Sequence, residues 1–565
     1  MMSIWHILLG SLAVVLGVIA FNRSAMAADD SDARAKAFIA RHEAAIKPLE
    51  IEVARRWWAA NVSGKDEEYK LKEEAETRLE LQLADPKTFA ELKAVKEAPL
   101  GDRLLARQVE VLYLQYLARQ IDPELLKAML AKSNKIEQTF NVHRPNVGGK
   151  TLSDNEVRRT LRTSKDSAQR KAVWEASKTV GGAVEADLKE LVGLRNRAAK
   201  KLGYRDYHVM QLALGEQSQE QVLKLFDELD ALTRGPFHAA KAEIDAALAR
   251  NCGIAAAELR PWHYHDPFFQ ESPAVFGAPD DALYAKVDIL KVCREFYAGI
   301  GLPVDDILAR SDLYEKPGKN PHAFCIDIDR SGDVRVLANV VPDYQWLSTM
   351  LHELGHGVYS SKNIPASVPY VLRGEAHTLT TEGIAMMFER FTRNADWLAA
   401  MGVAVPDPKA FQERADKLRR NQLLIFSRWC QVMFRFEKSL YADPAQDLNR
   451  LWWDLVEKYQ EVRRPDARNA PDYAAKIHVV SAPAYYHNYM MGELFAAQLH
   501  HAIARDVLGG ADPAKALYVG NKAAGRYLIE RVFAPGRTLD WNGLARHATG
   551  EDLSPKAFAG DFGAR

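Results

Sequence analysis

The sequence predicts an all-α fold with one small β hairpin, and three observations lead there. Apolar residues recur at three-and-four spacing over most of the chain, beginning with residues 35–60. Breaks such as Pro99-Leu100-Gly101 and Asp122-Pro123 cut that pattern into helix-sized pieces. The one convincing β region runs from Arg310 to Val341. With 565 residues, 47% apolar and 27% charged, the chain has the usage of an ordinary globular protein with a large core. Lys+Arg and Asp+Glu balance at 75 each, and no basic run or RNA-binding motif points to a nucleic-acid partner.

At the N-terminus, Ile7 to Phe21 is almost wholly apolar, Ala25-Met26-Ala27 is a small-x-small signature, and Asp29 and Asp30 follow. This reads as a secretory signal peptide over residues 1–27 with cleavage after Ala27, the alternative being an uncleaved anchor. A secreted or periplasmic location follows. No later stretch is long and apolar enough to span a membrane, so the exported chain is expected to have no transmembrane domain. The four cysteines, Cys252, Cys293, Cys325 and Cys430, are spaced too widely for a disulfide framework or a CxxC metal site and read as mostly buried thiols.

From Asp30 to about Gln138 the pattern is helical. Asn61-Val62-Ser63-Gly64 ends the first segment, and residues 65–83 form a Glu- and Lys-rich helix with a solvated face. Residues 141–153, with Pro145, Gly148 and Gly149, read as a loop. Asp154 is the expected cap of a helical series reaching Gly203, with a bend at Gly181-Gly182. Residues 217–250 give one or two helices, and from Leu259 to Pro279 prolines and aromatics interrupt the periodicity. Phe324-Cys325-Ile326-Asp327-Ile328 and Val334-Arg335-Val336-Leu337 flank a turn at Asp329-Arg330-Ser331-Gly332, which is the hairpin. Helices then continue to about Arg531. No repeat or low-complexity linker divides residues 28–565, which are expected to form a single helical unit.

The stretch that carries chemistry is His352-Glu353-Leu354-Gly355-His356. On a helix, histidines four apart share a face and can hold one Zn²⁺, with Glu353 facing the water that completes the site. Pro342 and Asp343 are start signals, and Leu347, Met350, Leu351 and Leu354 give the helix an apolar side. A third ligand is needed. Glu382, 26 residues past His356 in a helical stretch, is favoured over Glu375, 19 residues past it in what reads as a loop. His322-Ala323, Lys476-Ile477-His478 and Tyr485-Tyr486-His487-Asn488-Tyr489 carry polar groups that a cleft could use, the alternative being tyrosines packed in a core. His263-Tyr264-His265 is weaker as a metal pair, since no carboxylate motif accompanies it.

Several stretches in order resemble the angiotensin-converting enzyme family of zinc peptidyl-dipeptidases. Val192-Gly193-Leu194-Arg195-Asn196-Arg197-Ala198-Ala199 with Leu202-Gly203-Tyr204-Arg205-Asp206 resembles the helix before that family's cleft. Tyr314-Glu315-Lys316-Pro317 leading to His322-Ala323 resembles its substrate-binding strand. Leu451-Trp452-Trp453-Asp454-Leu455, Lys458-Tyr459-Gln460 and Lys476-Ile477-His478 resemble its C-terminal half. Oligoendopeptidases of the thimet type share the H-E-x-x-H and a third Glu but match these flanks less well.

The resemblance implies a two-lobed helical fold with a deep cleft and the zinc helix on its floor. One zinc per chain would be bound by His352, His356 and Glu382, with Glu353 as general base. His322 and the Ala323 backbone would hold substrate amides, and Lys476 and Tyr486 the terminal carboxylate. His478 and Tyr489 would stabilise the tetrahedral intermediate, Tyr489 falling into register after a one-residue insertion. The expected enzyme is a monomer acting on short peptides. It releases C-terminal dipeptides, or alternatively cuts internally as the thimet type does; a third possibility is an inactive zinc-binding scaffold. The sequence departs from the family pattern in three respects. Met386 stands where the family has an Asp four residues after the third ligand. Trp262-His263-Tyr264-His265 stands where it has a carboxylate-binding Gln after a Trp. Val456 and Asn488 stand at its chloride-binding Arg positions, so chloride activation is not expected.

Overall fold

The computed structural model describes residues 5–277 and 281–563, with side chains described from Asp29 onward, Asp281 apart. The expected leader and its cleavage point therefore lie outside the residues whose side chains are described. Among the described residues the fold is all-α with two small antiparallel strand pairs. No described helix is long and apolar enough to cross a membrane.

The N-terminal helices Trp5–Ser63, Asp66–Leu83, Pro86–Glu97 and Arg103–Leu117 build a small apolar cluster of their own. Phe38, Ile46, Leu83, Leu92 and Leu112 are buried in it, and Val371 and Leu372 join it from the middle of the chain. The first helix ends where expected, at Ser63-Gly64. Gly64 has φ +65°, and a Cβ there would fall 1.9 Å from the Gly318 oxygen, so only glycine fits this backbone crossing. Beside it Asn320 donates its N–H to the Asn61 oxygen at 2.9 Å, and Trp57 packs on Phe324 with ring centroids 4.2 Å apart. The first helix is thus pinned to the start of the hairpin.

A much larger cluster fills the rest, from Met129 to Phe558. Four expectations are corrected here. Ser153, not Asp154, caps the helix Asp154–Thr163, in a capping box with Glu156. Gly181-Gly182 lies inside the unbroken helix Ser167–Lys201; a Cβ on Gly181 would meet the Pro471 oxygen at 2.3 Å, so this glycine serves close packing, not a bend. The loop at 141–153 contains a two-residue strand pair, Asn146–Val147 with Lys150–Thr151, turning at two positive-φ glycines. Helices also run past Arg531, to Trp541–Thr549 and Lys556–Gly560. All four cysteines are free.

The hairpin pairs Phe324–Asp327 with Val334–Leu337, Phe324 opposite Leu337 and Asp327 opposite Val334. The Asp327 and Asp329 carboxylates accept backbone N–H groups within its turn, which fixes the reversal. The motif helix Tyr344–Val358 follows. Asp343 caps it, accepting the Trp346 N–H at 2.7 Å, and Leu347, Met350, Leu351, Leu354 and Val358 are fully buried along one side.

Candidate active site

Three helices cross at the motif, and small residues let them approach. A Cβ on Gly355 would lie 2.8 Å from the Ala385 Cα, which seats the helix Thr378–Glu389 directly on the motif helix. A Cβ on Gly383 would lie 2.9 Å from the Gly492 oxygen, which seats the helix His487–Asp506 on the other side. His352 meets Glu389, Gly355 meets Ala385 and His356 meets Thr381, so the first two helices run antiparallel. That crossing brings Glu382 to both histidines.

The side chains converge accordingly. His352 Nδ1 is 2.7 Å from Glu389 Oε2, and His356 Nδ1 is 2.7 Å from Thr381 Oγ1. With each Nδ1 engaged, the two Nε2 atoms turn toward one another at 3.1 Å, and Glu382 Oε2 lies 3.7 Å from His352 Nε2. The ligand atoms of His352, His356 and Glu382 all fall within 4.8 Å of one another, the one such group among the described residues. Two imidazole nitrogens on a tetrahedral zinc are about 3.3 Å apart, so this spacing fits the ion. Glu375, the rival ligand, lies on a loop beside Arg537, 3.9 Å away, and is not part of the group.

Glu353 is 7% exposed, its Oε2 has no hydrogen-bond partner, and the Cys325 backbone N–H faces its carboxylate. Burial raises its pKa to about 7; His352 opposes that rise while Glu382 and Glu389 add to it. A carboxyl poised near neutrality with a free oxygen suits proton transfer. A cavity of about 540 Å³ opens here, lined among others by Ala323, Cys325, Glu353, Arg373 and Glu375. Among the described residues the strand Phe324–Asp327 pairs only with Val334–Leu337, and its other edge faces this space, where the Cys325 N–H meets Glu353. His322 is exposed and is not among the cavity-lining residues. A second cavity of about 370 Å³ lies beneath the N-terminal helices and shares Arg330 and Arg537 with the first.

The C-terminal candidates gather as a group. Tyr486 precedes the helix His487–Asp506 and Tyr489 is in its first turn, one turn before Gly492, which abuts Glu382. Tyr486 packs on His478 and on Tyr489, with centroids 5.3 and 5.5 Å apart. Burial lowers the His478 pKa to about 4, and its Nδ1 is buried without a partner. Ala484 takes a left-handed φ of 56° in the turn that precedes the helix.

Lys476 Nζ donates to Gln270 Oε1 at 2.7 Å, and the Tyr486 hydroxyl donates to the same oxygen at 3.4 Å. A glutamine thus stands beside Lys476 and Tyr486, although none follows Trp262 directly. Gln270 comes from a non-helical loop wound around Asp266, whose buried carboxylate accepts the N–H groups of Phe268, Gln270 and Glu271. Trp174 and Gln460 hold the loop by the oxygens of Pro267, Phe268 and Phe269. No local pattern marked Gln270; the one signal was an Asp before a Pro, a turn former. In the same loop His263 is spent on Ser167 and Arg260, and His265 Nδ1 accepts the Ala274 N–H, which leaves them as structural histidines.

The chloride-type positions are filled differently. Asn488 is buried and accepts from Gln217 Nε2 at 2.8 Å, and Gln217 in turn engages His487. Val456 lines a small apolar cavity of about 20 Å³ in which the buried Lys178 ammonium lies over the Phe268 ring.

Comparison with known proteins adds to this geometry. The family model described as angiotensin-converting enzyme matches residues 29–238 and 279–560. The angiotensin-converting enzyme of Mesocricetus auratus is 23% identical over 545 residues, 88% of this chain and 40% of that protein. That of Rattus norvegicus is 23% identical over 463 residues, 75% of this chain and 34% of that protein. That of Theromyzon tessulatum is 23% identical over 288 residues, 48% of this chain and 46% of that protein. The chain spans less than half the length of each of these relatives. The matched stretches include the motif helix, the Glu382 helix and the segment from Lys476 to Tyr489, and they cover most of the sequence: the chain belongs to the angiotensin-converting enzyme family.

Proposed function

We propose that the chain is a zinc metallopeptidase that releases dipeptides from the C-termini of short peptides. The observation that carries this reading is the pairing of two sites. One is the His352, His356 and Glu382 group with Glu353 beside it; the other is the cluster of Lys476, Gln270 and Tyr486, whose tyrosine packs on His478 and Tyr489. Zinc held by the first group supplies Lewis acidity toward a water and the scissile carbonyl. Glu353 takes the proton of that water and returns it to the leaving amine, the role its burial beside the ligands and its free Oε2 support. His478 is neutral at pH 7, so one ring N–H can donate to the developing oxyanion, with the Tyr489 hydroxyl as second donor. The open strand edge at Ala323 pairs with the substrate backbone, and His322 meets the substrate at the rim.

The Lys476 ammonium has three N–H donors, one of which is on Gln270. The remaining donors and the Gln270 amide receive the peptide's terminal carboxylate, and the Tyr486 hydroxyl joins them by turning its one proton away from the Gln270 oxygen. The cavity beside Glu353, with the second one across Arg330 and Arg537, leaves room for residues on the N-terminal side of the cut. We further propose one zinc per chain, a monomer, and export with cleavage after Ala27. Mass spectrometry of products from a mixed peptide library tests the activity. C-terminal dipeptides are expected. Internal cuts would move the enzyme to the thimet-like reading, and no cleavage by a zinc-loaded chain would leave a scaffold. Zinc analysis tests the ligands: Glu382→Ala is expected to lose the metal and Glu375→Ala to keep it.

A further inference from the structure

We propose that Glu389 is the positioning residue of the metal centre, fixing the tautomer and ring orientation of His352 through its Nδ1. The inference rests on the zinc reading above and adds a residue that the motif does not contain. Glu389 Oε2 lies 2.7 Å from His352 Nδ1, and the crossing of two helices sets that distance. A carboxylate there draws the ring proton to Nδ1 and leaves Nε2 as a lone pair aimed at His356 and Glu382.

The placement follows from helix geometry. Glu389 is seven residues after Glu382, about 20° short of two full turns, so both carboxylates share a face of the helix Thr378–Glu389. Met386, four residues after Glu382, has no group that could accept a proton bond of this strength. Side chains on a helix lean toward its N-terminus, so Glu389 reaches back over the turn that faces His352. His356 has its own Nδ1 partner in Thr381 on the same helix. That one helix therefore supplies the third ligand and the outer partner of each histidine.

The test compares the zinc dissociation constants of the wild-type chain, Glu389→Ala and Glu389→Gln by competition with a chromophoric chelator. The Glu389 side chain is 36% exposed, so truncation opens no sealed cavity and the variants are expected to fold. Glu389→Ala is expected to weaken zinc binding by about 10- to 100-fold. Glu389→Gln, which keeps an oxygen acceptor, is expected to recover a large part of that loss. The melting temperature of the zinc-free chain should hardly change, which separates a positioning role from a structural one. Zinc binding by Glu389→Ala within about twofold of wild type, or a loss matched by an equal fall in zinc-free stability, would overturn the proposal. A wild-type chain that binds no zinc would instead overturn the zinc reading itself.

Discussion

Replacing Lys476 by Met removes the charge of the proposed carboxylate clamp while keeping most of the volume packed among Phe268, Trp429 and Tyr486. Lys476 is 7% exposed, so solvent screens its charge little. A charge-assisted hydrogen bond from such an ammonium contributes about 1.5–3 kcal/mol, or roughly 10- to 150-fold in rate if realised in the transition state. The assay measures kcat/KM for one peptide as its free acid and as its C-terminal amide. Wild type is expected to favour the acid by about tenfold or more. Lys476→Met should lose that preference through the acid, with the amide barely changed. Acidity adds a second axis. Burial, opposed by Asp266, lowers the Lys476 pKa to about 8. A lysine is charged below its pKa, so the acid preference should be near full about one unit below pH 8, be halved near it and vanish above it. Equal rates on acid and amide in wild type, with internal cuts in both, would refute the clamp.

Three further outcomes are expected. Glu353→Gln should retain zinc by metal analysis and lose about 10²- to 10⁴-fold in kcat, because no group is left to take the proton; a fast variant would exclude Glu353 as the base. Gly355→Ala places a methyl 2.8 Å from the Ala385 Cα, and such overpacking costs about 1–3 kcal/mol. Calorimetry should show a lower melting temperature and chelator competition a weaker zinc site, although no ligand has changed; if both stay at wild-type values, the crossing does not set the site. Replacing chloride by acetate at constant ionic strength should change the rate by less than about twofold, since Val456 is apolar and Asn488 is already satisfied by Gln217. Saturable activation by chloride would refute this and direct attention to Lys178.

The metal centre was largely legible because its parts follow helix periodicity. His352 and His356 are one turn apart, Glu353 lies between them, and Glu382 sits in its own helical pattern. Glu389 was not legible, because its relation to His352 depends on how two helices cross, and that is set by Gly355 against Ala385. Gln270 was hidden for a different reason. It meets Lys476 across 206 residues, from a loop with no periodicity that falls between the two stretches matched by the family. No glutamine follows Trp262 directly in sequence, and the one beside Lys476 comes from further along the same loop. Helix existence could be read from apolar spacing, but Gly181-Gly182 looked like a bend because close approach to Pro471 leaves no local trace.

The antiparallel crossing has a consequence for folding order. His352 and Glu389 are 37 residues apart, so both histidines, the base, the third ligand and both Nδ1 partners lie within one short segment. Closing so short a loop carries a small entropic cost, and such local contacts form early. Gln270, Lys476 and Tyr486 meet only once distant parts of the chain have docked. If the proposed function holds, the groups for metal binding and those for a peptide's end are expected to come together at different stages of assembly. Mild denaturant should accordingly erode the preference for free-acid peptides before it releases zinc.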